Sequence, residues 1–500
     1  MTAPSTLQFI SVPFGSQIPY KLKNVFVIRN DNWDDYSSRL RFDLFWFDSN
    51  GLKNPVGKLK ILQSDEQKPD QTVLKTVPPE RFSDDIGPNF ISLGQSEHYY
   101  VQLFETFGDD ARKVLSALRD ISVRPGLTGR FETSSSFRNG LMRENTARRA
   151  MQFGSTWSIG EQPVEKPSFS YVCGLSDNED SIQVDFDFWA TDTLPGRIVG
   201  IIGRNAVGKT RFLAQLGADL AQVRRVSAET VEQRSARFPV NQPLFTRILT
   251  VSFSAFDRFS RPDTHEESSY VYCGIRDRNG KLTQTGLQST FRANKKRVRE
   301  LSRGNDWVEH LTKIFGETRL LSPTELRLEI EQDEEESELL GRLSSGQAIL
   351  CHFVTGLLAW LQPESLVLFD EPETHLHPNA VANLIVVLTE ILNDNKSYAV
   401  VATHSPIVIQ EIPSKRVVVF KNEEGATFAA PLEFESFGES VAELTQHVFR
   451  TNETESRYRD ALDSIAEKMS QEDALGLFPN KLGMNAKAYL LARYARKSDQ

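Results

Sequence analysis

Eight consecutive residues carry the clearest chemistry in this chain: Gly203-Arg204-Asn205-Ala206-Val207-Gly208-Lys209-Thr210. They follow a short apolar strand, Arg197 to Ile202 (RIVGII), and run into a helical stretch starting near Thr210. This is G-x-x-x-x-G-K-[ST] in strand–loop–helix order, a Walker A phosphate loop. Gly203 and Gly208 let the backbone wrap tightly, so that successive N–H groups from Arg204 through Val207 converge on phosphate oxygens. The helix start adds partial positive charge at the same place. Lys209 supplies a full charge to the β and γ phosphates, and the Thr210 hydroxyl is a ligand for Mg²⁺. The cofactors implied are ATP and Mg²⁺.

A second centre lies far downstream. Leu366-Val-Leu-Phe ends in Asp370-Glu371-Pro372, four apolar strand residues followed by two acids. Asp370 fits a Walker B aspartate that holds Mg²⁺ directly or through water. Glu371, one residue on, is placed to polarise the attacking water as a general base.

Three further features resemble the ABC-type ATPases. Leu343-Ser344-Ser345-Gly346-Gln347 is similar to that family's LSGGQ signature, with Ser345 in place of Gly, and lies just upstream of the Walker B strand. His404, after Val400-Val401-Ala402-Thr403, matches the family's switch histidine. Glu373-Thr374-His375-Leu376-His377-Pro378 occupies its D-loop position. The run Asp370 to Pro378 (DEPETHLHP) resembles ATPases of the OLD, RecF and Septu (PtuA) defence kind more than those of transporters. The resemblance covers about residues 169–430. It implies two heads that sandwich two nucleotides, with Ser344, Ser345, Gly346 and Gln347 of each capping the ATP held by the other, and His404 sensing the γ-phosphate. It also implies a homodimer or higher homo-oligomer through the heads. His375 and His377 have two readings, a D-loop contact across the dimer or a metal pair. The family's Q-loop glutamine is missing after the strand Arg247 to Phe253. Either Ser254 stands in for it or the equivalent lies elsewhere.

The elements that must position these groups are α/β. Short apolar strands alternate with helices, the pattern of a buried sheet with helices packed on it. At 500 residues and 39% hydrophobic composition, the chain is long enough for about three domains and too apolar for disorder. The divisions expected are a β-rich α+β N-terminal module over 1–166, an ABC-type ATPase head with a helical subdomain over 167–430, and a helical C-terminal appendage over 431–500. In the first, Lys23 to Arg29 and Arg41 to Phe47 read as strands. His98 to Ile121 reads as a helix with a possible break at Asp109-Asp110. The 132 residues between Thr210 and Leu343 are too few for a long coiled-coil arm and show no sustained heptads.

Charge excludes less than it suggests. The net of −9 rules out a uniformly basic nucleic-acid coat. Yet residues 201–300 hold 18 basic and 9 acidic side chains, and residues 301–400 hold 6 and 17. Arg292, Lys295, Lys296, Arg297, Arg299 and Arg303 lie on one predicted helix. It is either a solvated face or a surface for a nucleic-acid backbone. The acidic stretch Glu329 to Glu338 is either solvated or paired with that helix. Cys173, Cys273 and Cys351 are too scattered for a disulfide framework or metal spacing, which fits a reducing, cytoplasmic setting. No stretch is apolar and long enough for a membrane span. The last 70 residues lack the clustered acids of a metal nuclease. Their Tyr489, Leu490, Leu491 and Tyr494 are either partner contacts or packing against the head.

The residues thus imply an ATPase. The resemblance adds a sensor or scaffold subunit of an anti-phage defence complex, with a separately encoded effector, nuclease or toxin. Three alternatives stand beside it: a RecF- or SMC-like DNA-repair ATPase binding DNA directly, a transporter subunit, and a structural head that binds ATP without turning it over.

Overall fold

A computed structural model describes residues 6–31, 38–65, 71–163, 167–174, 181–188, 195–222, 226–254, 257–277, 279–315, 321–332, 339–423, 426–449, 457–478 and 482–498. Residues 1–438 form one compact unit and residues 439–500 a second. The expected boundary at 166/167 therefore falls inside the first unit, although it does mark a change of sheet.

The first sheet holds β1 (Gln8–Val12), β2 (Val25–Asn30), β3 (Arg41–Phe47), β4 (Lys53–Gln63), β5 (Arg81–Ser83) and β6 (Phe90–Gly94) in the order β5-β1-β2-β3-β4-β6. β1 and β2 are parallel and the other pairs antiparallel. Alternation along β3 buries Phe42, Leu44 and Trp46 on one face, as period-two patterning requires. The expected helix after β6 breaks where its two aspartates stand. It runs Glu97–Phe107, turns through Gly108–Asp110 with Gly108 at φ 57°, and resumes over Ala111–Ala117.

The next helix, Asn145–Trp157, fastens this sheet to the rest of the unit. The Asn145 side-chain amide donates to the Leu220 and Phe245 carbonyls at 3.1 Å each. Arg149 donates to the Leu244 carbonyl at 2.5 Å and pairs with Glu364. Glu144 accepts from the Ser269 backbone and hydroxyl at 2.9 and 2.7 Å. Glu144, Asn145, Arg149 and Ser269 are buried, so separating the two layers would strand several polar groups at roughly 1–3 kcal/mol each. That is the physical reason the N-terminal residues do not form a detached body.

A hairpin, β7 (Ser168–Gly174) and β8 (Ser181–Asp187), leads into the second sheet. Its strands are β9 (Ile198–Gly203), β10 (Ile248–Ser252), β11 (Tyr270–Tyr272), β12 (Leu366–Asp370), β13 (Tyr398–Thr403), β14 (Val417–Glu423) and β15 (Ala426–Pro431), in the order β11-β10-β12-β13-β9-β14-β15. All neighbours are parallel except β14 and β15. β9, β10 and β12 are buried at every residue, which is why they read as unbroken apolar runs rather than alternating ones. Register brings the strand ends level: Asp370 pairs with Ser252 on one side and Ala402 on the other, and Thr403 with Ile202. In such sheets ligands gather at the carboxyl ends.

The basic helix corrects one expectation. It spans Gln284–Glu300, so Arg303 lies just beyond it, and four of the six cations, Lys295, Arg297, Arg299 and Arg303, are engaged internally while Lys296 is exposed. Lys295 is fully buried and donates to Glu329 Oε1 at 2.9 Å and to the Glu329 carbonyl at 2.8 Å. Arg297 donates to the Ala359 carbonyl at 2.7 Å and lies over the Trp360 ring. Arg303 reaches the Leu358 and Leu361 carbonyls at 2.9 Å each, and Arg299 those of Glu331 and Gln332. The last carbonyls of the helix Ser345–Trp360 have no partners within it, and the guanidinium groups supply them. Of the acidic stretch, residues 333–338 lie outside the described residues.

The C-terminal unit comprises helices Val441–Phe449, Arg457–Lys468, Gln471–Gly476 and Met484–Ser498. Leu490 is buried at its centre with Leu462, Ala466 and Ala474. Tyr489 donates to Asp463 at 3.1 Å and Tyr494 to the Met469 carbonyl at 3.0 Å, and Leu491 is half-buried. Three of the four proposed partner contacts are thus spent inside this unit. Among the described residues no helix is long and apolar enough to cross a membrane.

Candidate nucleotide site

β9 delivers the chain to the phosphate loop at Gly203. A Cβ there would stand 2.6 Å from the Phe420 carbonyl on β14, so the close approach of the two strands demands glycine. Ala206 and Gly208 then adopt φ of 66° and 95°, the left-handed turns that aim consecutive N–H groups into one hollow. The helix Lys209–Leu220 starts immediately afterwards. Arg204, Asn205 and Ala206 are exposed at the mouth, whereas Val207 anchors the loop in the core. Lys209 is 5% exposed, and its Nζ donates to the Gly203 and Arg204 carbonyls at 2.8 and 3.1 Å. Burial lowers its pKa, against the pull of Glu371, Asp370 and Glu373 nearby.

The end of β12 supplies the acids. The Thr210 hydroxyl donates to Asp370 at 2.9 Å to Oδ2 and 3.1 Å to Oδ1. Asp370 is 1% exposed, and burial, with Glu371 adjacent, raises its pKa to about 7 despite Thr210 and Lys209. A hydroxyl and a carboxylate in mutual contact, with that carboxylate short of positive charge, form an oxygen donor set suited to Mg²⁺. The residues therefore fit the cofactors the sequence implies. Glu371 turns out of the strand at φ 49° while its N–H donates to the Ala402 carbonyl at 2.8 Å. The turn carries its half-buried carboxylate toward the rim, 3.8 Å from His404 Nδ1.

Two residues escaped the sequence reading. Glu373, expected only as part of the D-loop, accepts the Thr403 hydroxyl and the His404 backbone N–H at 2.8 Å each. Asp257 lies beyond β10, where a Q-loop would be. It is buried, accepts the Tyr272 hydroxyl at 2.8 Å and the Phe259 N–H at 3.2 Å, and pairs with Arg261. Its charge is among those that raise the pKa of Asp370. Position alone could have signalled Asp257, three residues after the serine weighed for that role. Ser254 itself donates its N–H to Ser252 Oγ at 3.1 Å, and residues 255–256 lie outside the described residues.

The signature residues stand apart from this cluster. Ser344 and Ser345 are exposed at the start of the helix Ser345–Trp360. Gln347 Oε1 accepts the Ser344 N–H and hydroxyl at 3.1 and 2.9 Å. A Cβ on Gly346 would lie 3.2 Å from the His375 carbonyl, which places the signature beside the D-loop of its own chain. His375 is exposed at φ 67°. His377 caps the helix Pro378–Asp394 by accepting the Asn379 N–H on Nδ1 at 3.4 Å. Among the described residues no third His, Cys, Asp or Glu joins the two histidines in a metal-sized group.

Comparison with known proteins finds a family model that matches part of the chain. Residues 275–410 match the family described as "AAA domain, putative AbiEii toxin, Type IV TA system". That stretch contains the signature, Asp370, Glu371 and His404 and leaves the phosphate loop outside. Protein ea59 of Escherichia phage lambda is 28% identical over 525 aligned positions, covering 99% of each chain. Among solved structures, cbiO1 of Clostridium perfringens, part of the ABC transporter complex cbiONQ, is 14% identical, with 63% of this chain and 100% of that one covered at a TM-score of 0.30. The head of Smc bound to the C-terminal winged-helix domain of ScpA is 12% identical, with 53% and 96% covered at 0.29.

Proposed function

We propose that this chain is an ABC-type ATPase that binds Mg²⁺·ATP, dimerises on it and hydrolyses it, as the sensor or scaffold subunit of an anti-phage defence complex with a separately encoded nuclease or toxin. The observation that carries the ATPase half is the Thr210 hydroxyl on the Asp370 carboxylate, with Glu371 and His404 on the adjoining strand ends. Lys209 and the loop N–H groups bind and orient the phosphates. Thr210 and Asp370 would hold Mg²⁺, which would supply neutralisation of the phosphate charge. Glu371 takes a proton from the attacking water, and the buried walls around Asp370 keep other water out. The exposed Ser344 and Ser345 stand at a helix start that the nucleotide of a second copy can reach, which supports dimerisation.

The defence half is supported by the toxin–antitoxin description of the matched family and by the DEPETHLHP run. The basic helix gives the direct DNA-binding alternative less support, since four of the six named cations, Lys295, Arg297, Arg299 and Arg303, are engaged internally. The test is Mg²⁺-dependent ATP turnover by the purified full chain. Lys209→Ala should abolish nucleotide binding, and Glu371→Gln should keep binding, stop turnover and accumulate a dimer in sedimentation. Retained ATP binding in Lys209→Ala, or undiminished turnover in Glu371→Gln, would sink the ATPase. Pull-down of the neighbouring gene product with and without ATP tests the effector.

A further inference from the structure

Glu373 is not used in the steps above, yet it is the most engaged carboxylate at the rim of the site. Its Oε1 accepts the Thr403 hydroxyl at 2.8 Å and the His404 backbone N–H at 2.8 Å. The same oxygen lies 3.1 Å from His404 Nδ1, closer than Glu371 Oε1 at 3.8 Å. Thr403 Oγ1 in turn accepts the Ser405 N–H at 2.9 Å, so the whole turn after β13 is braced. Glu373 is mostly buried, whereas the His404 ring is 41% exposed and reaches the mouth. Nδ1 of that ring is shielded from water, and these two carboxylates are its polar neighbours. The 3.1 Å approach is off the N–H axis and makes no hydrogen bond as it stands; contacts of this kind tighten when a site fills.

A carboxylate accepts and does not donate, so the ring nitrogen facing it must carry the proton. We propose that Glu373 is a positioning residue for His404. It holds the backbone of the histidine and stands against its ring with one oxygen, favours the Nδ1–H tautomer, and leaves Nε2 as the nitrogen presented to the nucleotide. This rests on the ATPase reading for its consequence but not for its geometry. It also gives the acid immediately after Pro372 a purpose: Glu371 meets the water and Glu373 holds the sensor.

The test is a double-mutant cycle on the full chain. Glu373→Ala should lower kcat about 10- to 100-fold, the usual cost of losing an imidazole's orienting partner, with KM for ATP within about 3-fold of wild type. Glu373→Gln, which keeps an acceptor oxygen in the same place, should restore most of the loss. On a His404→Ala background, Glu373→Ala should add nothing. Multiplied losses in the double variant, or weakened ATP binding in Glu373→Ala, would overturn the proposal in favour of a plain structural brace. A second measurement is free of turnover: long-range ¹⁵N–¹H spectra of histidine-labelled protein, with His404 assigned by its disappearance in His404→Gln. The Nδ1–H tautomer is expected in wild type and its loss in Glu373→Ala. An Nε2–H tautomer in wild type would refute the proposal even if the chain hydrolyses ATP. A wild type that does not hydrolyse ATP would defeat the ATPase reading while the spectra still decide the tautomer.

Discussion

Two buried carboxylates, one in each sheet layer, look alike by burial and differ in what surrounds them. Asp120, beside the first sheet, is pushed up to about 6 by burial. Asp370, at the end of β12, is pushed up to about 7 by the same cause. Asp120 is saturated. Gly94 N–H and the Tyr100 hydroxyl donate to Oδ2 at 3.1 and 3.0 Å, and Ser122 N–H and hydroxyl donate to Oδ1 at 2.9 and 2.6 Å. Asp370 receives the Thr210 hydroxyl, lies near a buried ammonium, and has a second acid beside it at the rim. A raised proton affinity therefore does not mark a functional site by itself. The donors do: Asp120 receives four, whereas the two oxygens of Asp370 share one hydroxyl.

The sharpest test exchanges the two roles. Asp370→Asn should cut turnover by about 10²- to 10³-fold, the range for losing one preorganised electrostatic group, without lowering the melting temperature of the nucleotide-free chain. Asp120→Asn should leave kcat unchanged. Steady-state kinetics with parallel thermal melts checks both, and a turnover loss at Asp120 would break the distinction. Next in size is ligand stabilisation. Mg²⁺·ATP at 100 times its Kd should stabilise wild type and Asp120→Asn alike, by about 2.7 kcal/mol, and Asp370→Asn by clearly less, read from melting shifts on a non-hydrolysing Glu371→Gln background.

Smaller is the structural cost. Asp120→Asn replaces one acceptor oxygen with a donor and should destabilise the first sheet by about 1–3 kcal/mol, seen as faster amide exchange at Gly94 and Ser122. Smallest is its pH dependence. The folded value, about 6, lies above the ordinary 3.8, so the folded chain keeps a proton that the unfolded chain releases. The stability contributed by Asp120 is greatest below about pH 4 and falls as pH rises through about 6. The gap between wild type and Asp120→Asn should narrow over that window. A gap that widens with pH would mean the carboxylate is held ionised.

The fold was legible where local patterns are strong. RIVGII, LVLF and YAVVA are strands because fully buried parallel strands are apolar at every position. The helix break at Asp109-Asp110 was legible for an equally local reason. The helix Gln284–Glu300 was legible as a helix, but the partners of its cations were not, because no local rule says that Arg297 and the nearby Arg303 will meet carbonyls some sixty residues away. Nor does Tyr489 declare in sequence that Asp463 is its partner.

At the nucleotide site the division is similar. Spacing pointed to the phosphate loop, Asp370 and Glu371, because contiguous backbone geometry and the length of a buried strand favour those residue types at those steps, whereas His404 came from the family resemblance. Tertiary structure decided the rest. Parallel pairing of β12 with β10 and β13 set Asp370 level with Ser252 and Ala402. It brought Glu373 onto the backbone of His404, 31 residues later, and put Asp257 beside a carboxylate more than a hundred residues away. It also joined the N-terminal sheet to the phosphate-loop helix through Asn145. Charge and hydrogen bonding act through space, so which acid is braced and which is left open for a cation is settled only when distant segments meet.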